Sequence, residues 1–215
     1  MVNKKHVFWQ AFFLTILFFL IGLVLGVYLE QVRADNVNVS FYDSEVSLYD
    51  SFALGTLFEN PNASCDKLRE ADIAFADKIY DEARQLEKFD DSSKLTDSVK
   101  SIHRKYDLLR TMLWINSMAV KEKCGNLDIV VYLYIYDTDD ISIRSEQEVW
   151  GKILQELKGE KGGDIILIPI AVDSRVSSLD YLIDTHNVKK FPAVIINDKN
   201  VVYEIKTADE LKSYL

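Results

Sequence analysis

Residues 127–136 read Leu127-Asp128-Ile129-Val130-Val131-Tyr132-Leu133-Tyr134-Ile135-Tyr136. The stretch is rich in β-branched and aromatic side chains, the composition of a buried strand. Asp137-Thr138-Asp139-Asp140 ends it. Residues 144–158 then place Val149, Ile153 and Leu157 on one helical face. A loop at 159–163 leads to a second apolar strand at 164–172 (DIILIPIAV) and a helix near 177–186. Residues 193–196 and 201–205 pair as a hairpin around Asp198-Lys199-Asn200, and Thr207 opens a last helix as its N-cap. The order is β-α-β-α-β-β-α. Alternating elements imply an α/β domain over residues 127–215, with a parallel core joined by crossover helices and a final antiparallel hairpin.

Upstream the period changes from strand to helix. A short helix over 44–58 carries Val46, Tyr49, Phe52, Ala53 and Leu57 on one face and stops at Asn60-Pro61-Asn62. A second is expected over 65–88, with Leu68, Phe75, Ile79, Ala83 and Leu86 near one stripe. A third is expected over 93–123. Its apolar positions Leu95, Val99, Ile102, Tyr106, Leu109 and Leu113 step alternately by four and three, a heptad seam that Asn116 would continue. Asp90-Asp91-Ser92-Ser93 is too short a connection for anything but antiparallel neighbours, so residues 44–125 read as a helical hairpin region. In such a hairpin Cys65, at the start of the second helix, comes near Cys124, at the end of the third. An oxidising compartment permits a disulfide between them. Closing the loop from 66 to 123 would stabilise the fold by roughly 4 kcal/mol in the chain-entropy model. A catalytic pair is more often close in sequence, so a structural bridge is the expectation.

Further upstream, residues 7–29 (VFWQAFFLTILFFLIGLVLGVYL) are broken only by Gln10 and Thr15. A helix of this length reaches about 34 Å, enough for a hydrocarbon core of about 30 Å. Lys4, Lys5 and His6 precede it, while Glu30, Arg33 and Asp35 follow. The basic flank predicts a cytoplasmic tail at 1–6, a single-pass anchor at 7–29, a linker at 30–43 and a soluble part outside the cytoplasm. A cleaved signal peptide is the rival, but the apolar run exceeds the 7–15 residues usual for such a segment. Gly22 and Gly26 form a GxxxG stripe where a second membrane helix could pair. Asn38 and Asn62 begin N-x-[ST] sequons on the outer side, permitting glycosylation.

The chain carries 34 acidic against 25 basic residues, a net charge of -9, which argues against a nucleic-acid partner. Two Cys and three His leave little for a metal cage. Asp137, Asp139 and Glu148 match three positions of a calcium loop, but Ile141 and Ser142 break the pattern, so no metal is expected there. No motif for hydrolase, protease, nucleotide or dinucleotide chemistry occurs, and no catalytic residue or cofactor is assigned.

The element order over 127–215, together with Asn187-Val188-Lys189-Lys190-Phe191-Pro192-Ala193-Val194-Ile195-Ile196, resembles the thioredoxin superfamily. The resemblance implies a cis bond between Phe191 and Pro192 at the opening of the third strand, beside the family's CxxC site. Here the matching turn reads Asp137-Thr138-Asp139-Asp140, without cysteine. Thiol exchange needs a thiolate, so the resemblance, with this departure, implies a module that is redox-inactive at that turn and binds a protein partner or client. The expected function is therefore a membrane-anchored, extracytoplasmic binding or scaffolding module. Two alternatives stand beside it. One is a thiol–disulfide oxidoreductase or redox partner using Cys65 and Cys124. The other is a structural subunit of a membrane complex.

Overall fold

The computed structural model describes residues 4–56, 64–90, 97–125 and 127–215. The chain divides into two compact units, Met1–Asp43 and Ser44–Leu215. Helix α1 spans Lys4–Thr56. Its Phe8–Val32 segment is long and apolar enough to cross a membrane, and none of it is buried against protein. Gly22 and Gly26 lie in this segment, with no neighbouring atom within 4 Å of where a Cβ would stand. Residues 30–43, where a linker is expected, are helical. They contain neither Gly nor Pro, so nothing in them interrupts the helical hydrogen bonds. Asn38 falls on this helix, whereas Asn62 and the Asn60-Pro61-Asn62 stop lie outside the described residues.

Helices α2 (Cys65–Asp90) and α3 (Asp97–Cys124) pack against each other. From α2 they bury Leu68, Phe75, Ala76 and Ile79; from α3, Tyr106, Leu109, Leu113, Trp114 and Val120. The heptad seam therefore runs through Tyr106, Leu109 and Leu113. Asn116, its polar continuation, is buried too and donates to Asp72 Oδ1 at 2.8 Å, while the Ser117 hydroxyl lies 3.4 Å from Asp72 Oδ2. A buried carboxylate is tolerable only with such partners, so this contact fixes how α2 sits on α3.

The C-terminal layer contains β1 (Asp128–Tyr134), α4 (Ile141–Lys161), β2 (Ile165–Ala171), α5 (Ser177–Thr185), β3 (Ala193–Ile196), β4 (Asn200–Val202) and α6 (Ala208–Lys212). The sheet order is β2-β1-β3-β4. β1 runs parallel to β2, with Asp128 opposite Ile165, and antiparallel to β3, with Val130 opposite Ile196. β3 and β4 close the antiparallel hairpin. This topology is consistent with a thioredoxin-like arrangement preceded by helices. One core cluster joins Trp150, Leu154 and Leu157 of α4 and Leu211 of α6 to Val130, Val194 and Ile196 of the strands. α3 contacts β1, β2 and α5.

Local chemistry explains the boundaries. α4 begins three residues before the predicted 144, because the Asp140 carboxylate accepts from Ser142 N at 2.8 Å and Ile143 N at 3.4 Å. At the β3–β4 turn Asn197 and Asp198 have φ of 53° and 60°, a region that Asn and Asp tolerate best after Gly. Asn197 also ties the sheet to α3: its Oδ1 accepts from Ile129 N at 3.0 Å and from Lys121 Nζ at 2.7 Å. Thr207 and Glu210 form a reciprocal capping box on α6.

Candidate functional site

Cys65 is the first residue of α2 and Cys124 the last of α3, and the two are joined by a disulfide with Cα atoms 5.6 Å apart. They are the only cysteines in the chain, and both are half-buried. The bridge is the covalent closure of the α2–α3 hairpin. It precedes Gly125, which turns the chain at φ 64° toward β1. It therefore lies toward the N-terminal end of β1. The Asp137 turn lies beyond the other end of this seven-residue strand, about 23 Å along it.

That other end carries a polar cleft of about 560 Å³, between α3 and the loops that follow β1 and β2. The carboxyl ends of parallel strands are where open α/β sheets hold ligands. Asp173 binds the two loops together, accepting from Tyr136 N at 2.9 Å and Asp137 N at 2.8 Å. The Tyr136 ring lies 4.1 Å from that of His103, and its hydroxyl is 2.8 Å from His103 Nε2. At the base, Asp107 Oδ1 accepts from Ala171 N at 3.0 Å. Burial raises the Asp107 carboxyl above its ordinary value, against the opposing pull of Arg110 and the Ala171 amide. Lys100, Arg104 and Arg175 bring positive charge to the lining.

The acidic turn itself is largely structural. Asp140 caps α4, Thr138 Oγ1 accepts from Asp140 N at 3.2 Å, and Thr138 O accepts from Arg144 at 2.7 Å. Asp137 faces Lys100 at 3.8 Å with both side chains more than half exposed, an ion pair of little energetic weight. Asp139 is exposed. The Phe191–Pro192 bond is cis, Pro192 is buried and Phe191 is half-buried. None of these groups is a thiol, so the turn offers hydrogen-bond acceptors and no sulfur nucleophile.

The structure thus brings Cys65 and Cys124 together and keeps them away from the Asp137–Asp140 turn. His103 of α3 contacts Tyr136 across the cleft. His186 caps the C-terminal end of α5, with Nδ1 at 2.8 Å from Leu182 O, and its Nε2 also meets Asp198 in the β3–β4 turn. Asp107, Arg110 and Asp173 were missed. The available signal was the presence of Asp107 and Arg110 beside the α3 seam, where charge is costly unless partnered. Among the described residues, no group of three His, Cys, Asp or Glu is placed to hold a metal ion.

No family model matches this chain, and neither the comparison with curated proteins nor that with solved structures finds a match.

Proposed function

We propose that this chain is a membrane-anchored redox partner, held outside the cytoplasm, which undergoes thiol–disulfide exchange through Cys65–Cys124. The observation that carries the reading is the disulfide between its only two cysteines, with both residues half-buried rather than sealed in the core. Lys4, Lys5 and the apolar Phe8–Val32 segment support the anchor and its N-inside orientation. The absence of cysteine from the Asp137–Asp140 turn leaves the hairpin bridge as the chain's only thiol–disulfide couple.

The exchange follows from the ends of the helices. An incoming thiolate from a partner dithiol attacks Cys124 Sγ, and the Cys65–Cys124 bond breaks. Cys65 leaves as the thiolate, favoured by its place at the N-terminus of α2, where a helix stabilises negative charge. The partner's second thiol, once deprotonated, attacks the mixed disulfide and releases Cys124. The partner is then oxidised to its disulfide, and Cys65 and Cys124 are reduced. Incubating the full chain in lipid nanodiscs with a reduced dithiol, without denaturant, tests this. Both cysteines are expected to become alkylatable while β1 and β3 keep their amide protection. A bridge that opens only when the sheet unfolds would contradict the reading.

A second reading, a partner-binding module, is favoured by the cleft at the ends of β1 and β2. Its test is Asp139 of the neighbouring acidic turn, outside the cleft lining, because it is exposed and, unlike Asp140, does not cap α4. Asp139→Lys is expected to weaken partner capture if the acidic rim contributes; unchanged capture would place the contact elsewhere.

A further inference from the structure

A second cleft, of about 570 Å³, opens between α2, α3, α4 and the β1–β2 pair. Its volume lies in the range of small-molecule sites. Arg110 of α3 lines it and is 6% exposed. A buried guanidinium is costly unless its donors and its charge are matched. Asp107 meets it through a single contact, Nη1 to Oδ1 at 3.4 Å, longer than the 2.7–2.9 Å of a good charge-assisted bond. The same Oδ1 already accepts from Ala171 N. The Nε of Arg110 is buried with no hydrogen-bond partner among the described residues. The site therefore holds a buried cation that its own protein surroundings leave under-matched.

The rest of the lining has the same sense. Arg144 and Lys152 add positive charge against Glu148, in a chain of net charge -9. Tyr132 and Tyr134 stack, ring centroids 5.5 Å apart and planes 17° apart, and give the lining an aromatic side. Gly151 lies within the 21-residue helix α4 and lines the same cleft. A glycine in a helix interior is destabilising relative to alanine. A Cβ there would meet nothing within 4 Å, so close packing does not explain it; it keeps the cleft open.

We infer that this cleft binds a small aromatic oxyanion, its carboxylate or phosphate received by Arg110 and its ring packed against the Tyr132–Tyr134 stack. Calorimetric titration of the full chain in zwitterionic nanodiscs tests it, with benzoate and phenyl phosphate as probes, phenol and benzylamine as comparators, and empty nanodiscs as blank. At least one anion should bind saturably at one site. Phenol should bind roughly tenfold more weakly, the loss expected for one charge-assisted contact, and benzylamine should not bind. The relative affinities of benzoate and phenyl phosphate report which headgroup the site prefers. Gly151→Leu fills the cleft from a helix position with open space and should abolish binding without lowering the unfolding temperature. Lys152→Glu, at the exposed rim, should weaken it several-fold. Arg110→Lys keeps the charge but loses the planar fork, and should weaken binding more than it lowers stability. Failure of both anions to bind saturably, or undiminished binding by Gly151→Leu, would overturn the inference. Neither result bears on exchange at Cys65–Cys124.

Discussion

Strand β3 buries all four of its residues, whereas α2, a helix of 26 residues, buries Leu68, Phe75, Ala76 and Ile79 among the side chains described. β1 likewise buries five consecutive residues between two half-buried ends. The hairpin adds what the sheet does not need: a disulfide at its end and a buried Asp72 held by Asn116 and Ser117. The sheet rests on apolar burial, which is indifferent to redox state. The hairpin rests in part on a bond that a thiol can open. This is why thiol–disulfide chemistry, if it regulates this chain, acts on the docking of α2 and not on the α/β layer.

The largest effect that would sharpen this contrast comes from the bridge. Cys65→Ser with Cys124→Ser is expected to lower stability by about 4 kcal/mol, the chain-entropy figure for a loop of this length. Hydrogen exchange should show the loss first in α2. An equal and simultaneous loss in β1 and β3 would erase the distinction. Next, Leu133→Ala, at a position with no exposure in β1, should cost about 3 kcal/mol through the cavity it leaves, and its exchange signature should fall on the sheet. Asp72→Ala should cost about 2 kcal/mol by leaving Asn116 and Ser117 without their buried acceptor. Urea unfolding should resolve that loss in the hairpin. Thr207→Ala removes one half of the α6 capping box and should cost about 1 kcal/mol, confined to the C-terminal helix.

The smallest effect is a slope with pH. Asp107 lies where α3 meets β2, and burial raises its folded-state value above the ordinary range of an aspartate carboxyl. The folded chain thus holds that proton more tightly than the unfolded chain. Its contribution to stability is fully present below the unfolded carboxylate value, declines as pH rises through the raised folded value, and is level above it. Urea midpoints measured across the acid range should show this decline, and Asp107→Asn should flatten it.

The sheet was largely legible because runs such as DIILIPIAV can satisfy their side chains only when buried. The bridge was legible because the polarity of two helices brings Cys65 and Cys124 together. The extent of α1 was not: polar residues at 30–43 suggest a linker, yet without Gly or Pro the helix carries through. The start of α4 was missed because Ile141 and Ser142 follow a run of turn formers, and only the geometry of Asp140 reveals a cap. The two clefts were hidden for a different reason. His103, Tyr136 and Asp173 come from three distant segments, and the pattern within each segment does not point to the others. Arg110 was one charge among many until its burial was seen.

The most direct test of exchange through the hairpin is a trap in the native membrane. Cys65→Ser removes the leaving sulfur and leaves Cys124 as the only thiol. After acid quenching and alkylation, non-reducing gels should show this variant in a reductant-sensitive mixed disulfide with a partner chain, formed when the Cys124 thiolate attacks the oxidised partner's disulfide and displaces one of its sulfurs as thiolate, more abundantly than Cys124→Ser does. The wild-type bridge should also be found partly reduced. A wild-type pool that is fully oxidised, with neither single variant forming a mixed disulfide, would contradict it and leave Cys65–Cys124 as a static clasp.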